Sequence, residues 1–121
     1  FASKFIFLGY QKNPYYFIKK SNLFILTSRW EGFGHVIVES LICDTPVVCF
    51  NTKGLTKNFV NNKEVFYYNS NDINYLSSKL EYLIQNYENI FKNFNSYEIY
   101  KQYDVKIISN IYKKSIDSLL I

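Results

Sequence analysis

Arginine is almost missing from this 121-residue chain. Arg29 is the only one, and the formal charge of +4 comes from scattered lysines, densest at Lys19-Lys20 and Lys113-Lys114. A nucleic-acid interface calls for a basic stripe with arginines and exposed aromatics, so no nucleic-acid partner is expected. Histidine is as scarce: His35 stands alone, and neither it nor the two cysteines fall at metal-ligand spacing. Cys43 and Cys49 both lie inside apolar runs, which predicts buried, reduced thiols rather than a disulfide framework. No apolar run approaches the ~20 residues of a spanning helix, and no signal-peptide pattern is present. A cytoplasmic location is the expectation. Internal repeats and linkers are also absent.

What remains is a globular composition, with 48% hydrophobic, 20% aromatic and 20% charged residues. That excludes a disordered tail or a coiled coil and suits one small domain. It is short for an enzyme that must enclose two substrates.

Unbroken apolar runs recur along the first half. "KFIFL" (4–8), "LFILT" (23–27) and "VVCF" (47–50) predict strands covered on both faces, and "EVFYY" (64–68) a short further one. Between them the pattern turns helical. Asn13 and Pro14 are suited to open a short helix to about Lys20. From Gly34 a second helix carries Val36, Ile37, Leu41 and Ile42, ending near Asp44, a residue tolerant of the left-handed conformation, before Pro46. "TKNFVNN" (56–62) predicts a short helix. Asp72 is placed to cap a helix with Ile73, Leu76, Leu80 and Leu83 on one face. The rest, roughly 88–119, is helical with a break near "QYD", and offers Ile107, Ile108, Ile111, Ile116 and Leu119 for packing. Alternating strands and helical crossovers predict an α/β, Rossmann-like parallel sheet with helices on both faces. Ligands bind such sheets at the carboxyl ends of the strands.

The turn "SRWEGFG" leaves a strand at that end. A glycine turn entering a helix presents backbone N–H groups and a positive dipole end, a seat for phosphate. Glu31 beside it would repel phosphate alone but suits a ligand that also carries hydroxyls. Glu39, eight positions on, is placed to reach the hydroxyls of a ribose. Together they point to a nucleotide sugar, although two glutamates at this spacing also arise as a dipole-favouring acid and a solvent-facing one. His35 has no partner near in sequence for acid–base or metal chemistry. Trp30 is expected to pack beneath the turn, and Arg29 is divided between phosphate binding and a surface or packing role.

The longer string "FLGYQKNPYYFIKKSNLFILTSRWEGFGHVIVESLICDTPVVCFNTKGLTKNFVNN" resembles the C-terminal domain of the family 4, group 1 glycosyltransferases, retaining enzymes with the GT-B fold. The likeness runs over about residues 6 to 90 in order and spacing. It implies that Glu31, the first acid of E-x7-E, addresses the donor sugar and is required for transfer. It implies that Gly32, Phe33, Gly34, His35 and Val36 meet the donor sugar and phosphates through backbone amides. Glu39 matches the ribose-binding glutamate, and Tyr10 and Gln11 the backbone that touches the nucleobase. The chain departs from the family at Asp44, where glycine is usual, at Asn58, where glutamate is usual, and at Lys63 and Phe66, where glycines are usual.

The implied role is sugar transfer from a nucleotide sugar to a glycan or lipid-linked acceptor, as in polysaccharide biosynthesis, with no metal and no cofactor. Residues 1–121 are expected to form the donor-binding part of an N-terminally truncated domain, inactive alone. The acceptor domain and the basic pair that neutralises the diphosphate would lie upstream, as would any peripheral association with the inner face of the membrane. Two alternatives stay open: a non-catalytic nucleotide-sugar-binding remnant, and a related GT-B enzyme such as a sugar-nucleotide epimerase or glycogen-synthase-like transferase. Donor sugar, nucleobase and acceptor are not specified.

Overall fold

The computed structural model describes residues 4–52, 59, 63–69 and 72–119. Its centre is a three-stranded parallel sheet in the order β1-β2-β3, formed by β1 (Phe24–Leu26), β2 (Val47–Phe50) and β3 (Val65–Tyr68). Phe24 faces Val47 across one ladder and Val47 faces Val65 across the other. The central strand is the most apolar and the most covered: Val47, Val48 and Cys49 are fully buried. Strands buried on both faces read as continuous apolar runs, as "VVCF" does.

Alternation along the strands sends side chains to two separate cores. On one side Val47, Cys49 and Val65 pack with Ile37, Val38 and Leu41 of α2 (His35–Ile42), with Phe59, and with Ile99 of α5 (Ser96–Tyr103). On the other, Val48 and Tyr68 pack on Leu83 of α3 (Ile73–Gln85), with Leu76, Leu80 and Phe66 partly buried around them. Phe66 also meets Phe91 of α4 (Tyr87–Phe91) edge to face at 5.5 Å. Helices therefore cover both faces, and the α/β parallel architecture expected from the sequence is the one found.

Local signals account for several element ends. Asp44 takes φ +61°, and around it the amides of Asp44 and Thr45 bond back to the carbonyls of Leu41 and Ser40, a Schellman closure of α2. Asp72 caps α3 by accepting from the Asn74 amide at 2.9 Å. The expected break at "QYD" is found: α5 ends at Tyr103, and Asp104 accepts from the Lys106 amide at 2.8 Å to open α6 (Val105–Leu119). A further break, between Phe91 and Ser96, separates α4 from α5. The first helix, α1 (Tyr15–Lys20), has Pro14 itself at the N-cap, one residue later than the sequence suggests, without a side-chain cap from Asn13.

Other expectations are corrected. Residues 4–8 form no strand, and Phe7 is 96% exposed. An apolar run becomes a strand only with a neighbour to pair with. Among the described residues β1 pairs with β2 alone. Ile107, Ile111 and Ile116 are exposed along α6, whose packing among the described residues is chiefly against α5. Ile73 is exposed as well. The helix expected over 56–62 lies outside the described residues except for Phe59, as do Gly54, Asn58 and the side chain of Leu119.

Candidate functional site

The turn between β1 and α2 hangs on Gly34. It is buried at the N-cap with φ +77°, a conformation in which an L side chain is strained, and as a glycine it has no side chain with which to cap the helix. The Ile37 amide bonds back to the Gly34 carbonyl at 2.9 Å, so the first helical amides, those of His35 and Val36, head the helix at its positive end. Gly32 differs: a Cβ built there would meet no atom within 4 Å. Its lack of a side chain is not demanded by the protein around it and leaves open space beside Glu31, which is half-buried.

Phe33 is the anchored side chain of the turn. Its ring lies 4.9 Å from His35, 6.1 Å from Phe59 and 5.9 Å from Tyr103, the last of these edge to face. His35 itself is exposed at the start of α2. Trp30 is 90% exposed and does not pack beneath the turn as expected. The ring that packs from this turn is that of Phe33.

A cleft of about 380 Å³ opens next to this turn, lined among others by Gly9, Gln11, Phe17, Phe24, Val36 and Glu39. It gathers three of the residues singled out in the sequence, Gln11, Val36 and Glu39, although they come from separate segments. Gly9, at φ +61°, turns the chain away from the 4–8 run, and the Gln11 side chain donates from Nε2 to the Leu8 carbonyl at 2.6 Å. Thr45 Oγ1 donates to the Ile18 carbonyl at 2.8 Å, tying α1 to the end of α2 and so fixing two walls of the cleft. Glu31, Gly32, Phe33 and His35 are not among the lining residues. Neither is Tyr10, which is 93% exposed.

One polar contact of the cleft residue Glu39 is absent from the sequence reading: Tyr15 Oη donates to Glu39 Oε1 at 3.4 Å. The two residues are 24 positions apart, and only the docking of α1 on α2 brings them together. Arg29 lies elsewhere, lining a smaller hollow of about 170 Å³ with Thr27, Phe50, Tyr68 and Asp72 at the carboxyl ends of all three strands. Among the described residues no group of three or more His, Cys, Asp or Glu side chains is arranged to hold a metal ion, and no helix is long and apolar enough to cross a membrane. Cys49 is buried and free, its thiol pushed up to about 12 by burial. Cys43, expected to be buried too, is only half-buried at the exposed end of α2, and burial raises its pKa from the ordinary value.

Chemically, the arrangement offers helix-leading amides beside a carboxylate on one turn, and an apolar cleft with a second carboxylate one helical segment further on. Over 46 residues the chain is 44% identical to an uncharacterized glycosyltransferase of Methanocaldococcus jannaschii, a stretch that covers 38% of this chain and 11% of that protein. Over 50 residues it is 42% identical to the N-acetylgalactosamine-N,N'-diacetylbacillosaminyl-diphospho-undecaprenol 4-alpha-N-acetylgalactosaminyltransferase of Campylobacter jejuni, covering 41% of this chain and 14% of that protein. It is 32% identical over 57 residues to a Vi polysaccharide biosynthesis protein of Salmonella typhi, with 47% and 10% covered. The matched stretches thus span between 10% and 14% of the length of these relatives. The family described as glycosyl transferases group 1 matches residues 2–108, nearly the whole chain, and on that ground the protein belongs to the group 1 glycosyltransferases.

Proposed function

We propose that this chain is the donor-binding part of a longer, retaining glycosyltransferase that moves a sugar from a nucleotide sugar to a glycan or lipid-linked acceptor. The observation that carries the proposal is the cleft: Gln11, Val36 and Glu39 line one cavity that adjoins the Gly34 turn. In this assignment Glu39 accepts from the ribose hydroxyls, and the segment around Tyr10 and Gln11 borders the nucleobase through its backbone. The amides of Gly32 to Val36 receive the donor phosphates and sugar. Glu31 accepts from the sugar hydroxyls and is the residue on which transfer depends.

The leaving group is a nucleoside diphosphate, so the main task of the site is to stabilise the negative charge that grows on it as the glycosidic bond breaks. Amides already aimed from a helix start do this without reorganising. The proposed reaction requires neither metal nor cofactor. Acceptor binding is assigned to another part of the longer protein, in keeping with the lengths of the relatives. The Campylobacter relative acts on a diphospho-undecaprenol-linked glycan, by its name, which makes a lipid-linked acceptor one candidate. Transfer at the inner face of the membrane belongs to the same proposal.

The test is transfer by the full-length protein from a panel of uridine, guanosine and adenosine diphosphate sugars, with the anomeric configuration of the product read by NMR. Retention with one of these donors is the expected result. Inversion would overturn the retaining assignment, and hydrolysis or transfer with none of the panel would overturn the donor assignment.

A further inference from the structure

We propose that Tyr103 is a positioning residue for the donor turn, acting through Phe33; this rests on the assignment of that turn to the donor. Tyr103 is the last residue of α5, more than 60 positions from the turn in sequence. Its ring nevertheless meets Phe33 edge to face, with centroids 5.9 Å apart and planes at 80°. Phe59 completes a triangle, 6.1 Å from Phe33 and 6.2 Å from Tyr103, and is itself buried. The inner side of the Phe33 ring is thus held by two aromatics, while 38% of the residue stays exposed.

The backbone explains why that hold matters. Gly34, next to Phe33, is at φ +77° and, as the N-cap residue of α2, has no side chain with which to cap it. A glycine at such a position permits the turn but does not by itself fix it, because glycine reaches more of φ/ψ space than any other residue. Packing of Phe33 therefore sets where the adjacent amides point. Tyr103 in turn is held by the break in the chain: Asp104 leaves the helix at φ −63°, ψ 130° and starts α6 by capping it. Burial pushes the Tyr103 phenol above its ordinary pKa, as suits a ring lodged against the core rather than one in water.

Edge-to-face ring pairs are worth about two- to tenfold in an equilibrium constant, and a misplaced oxyanion donor costs more than that, so the effect is measurable. Calorimetry on the full-length protein with UDP, GDP and ADP, and with the matching monophosphates, is the experiment. Tyr103→Leu should cut the preference for the diphosphate over the monophosphate about fivefold or more. Tyr103→Phe, which keeps the ring, should hold it within about twofold. Leu83→Ala serves as the control for general damage, because Leu83 is fully buried in the opposite core: it should lower the melting temperature and leave the preference unchanged.

An unchanged preference in Tyr103→Leu overturns the proposal, as does an equal loss in Leu83→Ala. If Tyr103→Leu does not fold, Phe33→Leu removes the same ring pair from its exposed end and must reproduce the loss; failure to do so also overturns it. Binding of none of the three diphosphates by the wild type overturns the donor assignment and this proposal with it. Loss of binding in Glu39→Ala with full preference in Tyr103→Leu overturns this proposal alone.

Discussion

The phenol of Tyr15 lies 3.4 Å from Oε1 of Glu39, joining α1 to α2 where both helices line the cleft. One carboxylate oxygen of Glu39 therefore meets the protein, and the hydrogen bond with Tyr15 leaves the second oxygen available to the proposed ligand. If that ligand is a ribose, Glu39→Ala in the full-length protein should weaken nucleoside diphosphate binding by roughly 1.5–3 kcal/mol, the range for a hydrogen bond to a charged group. The variant should also lose the preference for ribo- over 2′,3′-dideoxyribonucleotides. Tyr15→Phe removes one long hydrogen bond and should cost less than about 1 kcal/mol. Calorimetry on the wild type and both variants decides it; a full ribose preference in Glu39→Ala would rule out Glu39 as the ribose anchor.

Glu31 is half-buried on a turn, outside both apolar cores. Glu31→Gln should therefore leave the unfolding free energy within about 0.5 kcal/mol of the wild type, as for substitutions away from the core. If Glu31 faces the donor sugar as proposed, turnover should drop by orders of magnitude, since the lost charge would act on the reacting sugar. Wild-type turnover in the variant would remove Glu31 from the site.

The two glycines of the turn should separate stability from binding. Gly34→Ala forces a Cβ into the left-handed region and should destabilise by about 1–2 kcal/mol. Gly32→Ala meets no atom within 4 Å and should be nearly neutral for stability while still weakening donor binding, because the new methyl occupies the space a ligand would use. Thermal denaturation and calorimetry on the pair would expose the contrast. Equal loss of stability in both would contradict it.

Cys49 gives a pH signature. A thiol is uncharged when protonated, and burial keeps the Cys49 proton in place up to about 12, whereas the unfolded chain releases it near 9.0. Above pH 9 the unfolded state thus binds fewer protons than the native state, and stability falls as pH rises. The contribution of this group is at most about 1.4 kcal/mol per pH unit and is absent below pH 9. Tyr67, raised to about 12 chiefly by burial, adds to the slope from about pH 10. Urea midpoints at pH 8, 9 and 10 for wild type and Cys49→Ala should show the wild type losing more with pH. Parallel curves would mean that Cys49 does not carry the effect. In thiol labelling of the native protein, Cys43 should react first and Cys49 only on unfolding.

Local chemistry was legible in the sequence wherever a residue acts on its own neighbours. "VVCF" is a strand because its whole apolar run is covered, Asp44 closes α2 in the left-handed region, Asp72 caps α3, and Asp104 breaks α5 from α6. The errors share one cause: apolarity states what a residue avoids, not what will cover it. Residues 4–8 have strand composition but no strand beside them, and Ile107, Ile111 and Ile116 have a helical face without an opposing surface among the described residues. The same holds for Cys43, whose apolar run ends at the rim of α2. In the site, the E-x7-E spacing marked Glu31 and Glu39 locally. The contacts of Glu39 with Tyr15 and of Phe33 with Tyr103 depend on how helices distant in sequence pack, and no local pattern encodes that.

β1 is only three residues long, carries neither charge nor proline, and pairs on one side alone among the described residues. Natural sheets blunt such an edge with lysines, prolines or a very short strand; β1 is short but has neither lysine nor proline within Phe24–Leu26. Together with the exposed "FIFL" run, the open edge gives this chain two surfaces that can add strands from another copy. Produced by itself, the chain should self-associate as its concentration rises, and lysine at Ile25 should delay the rise in light scattering.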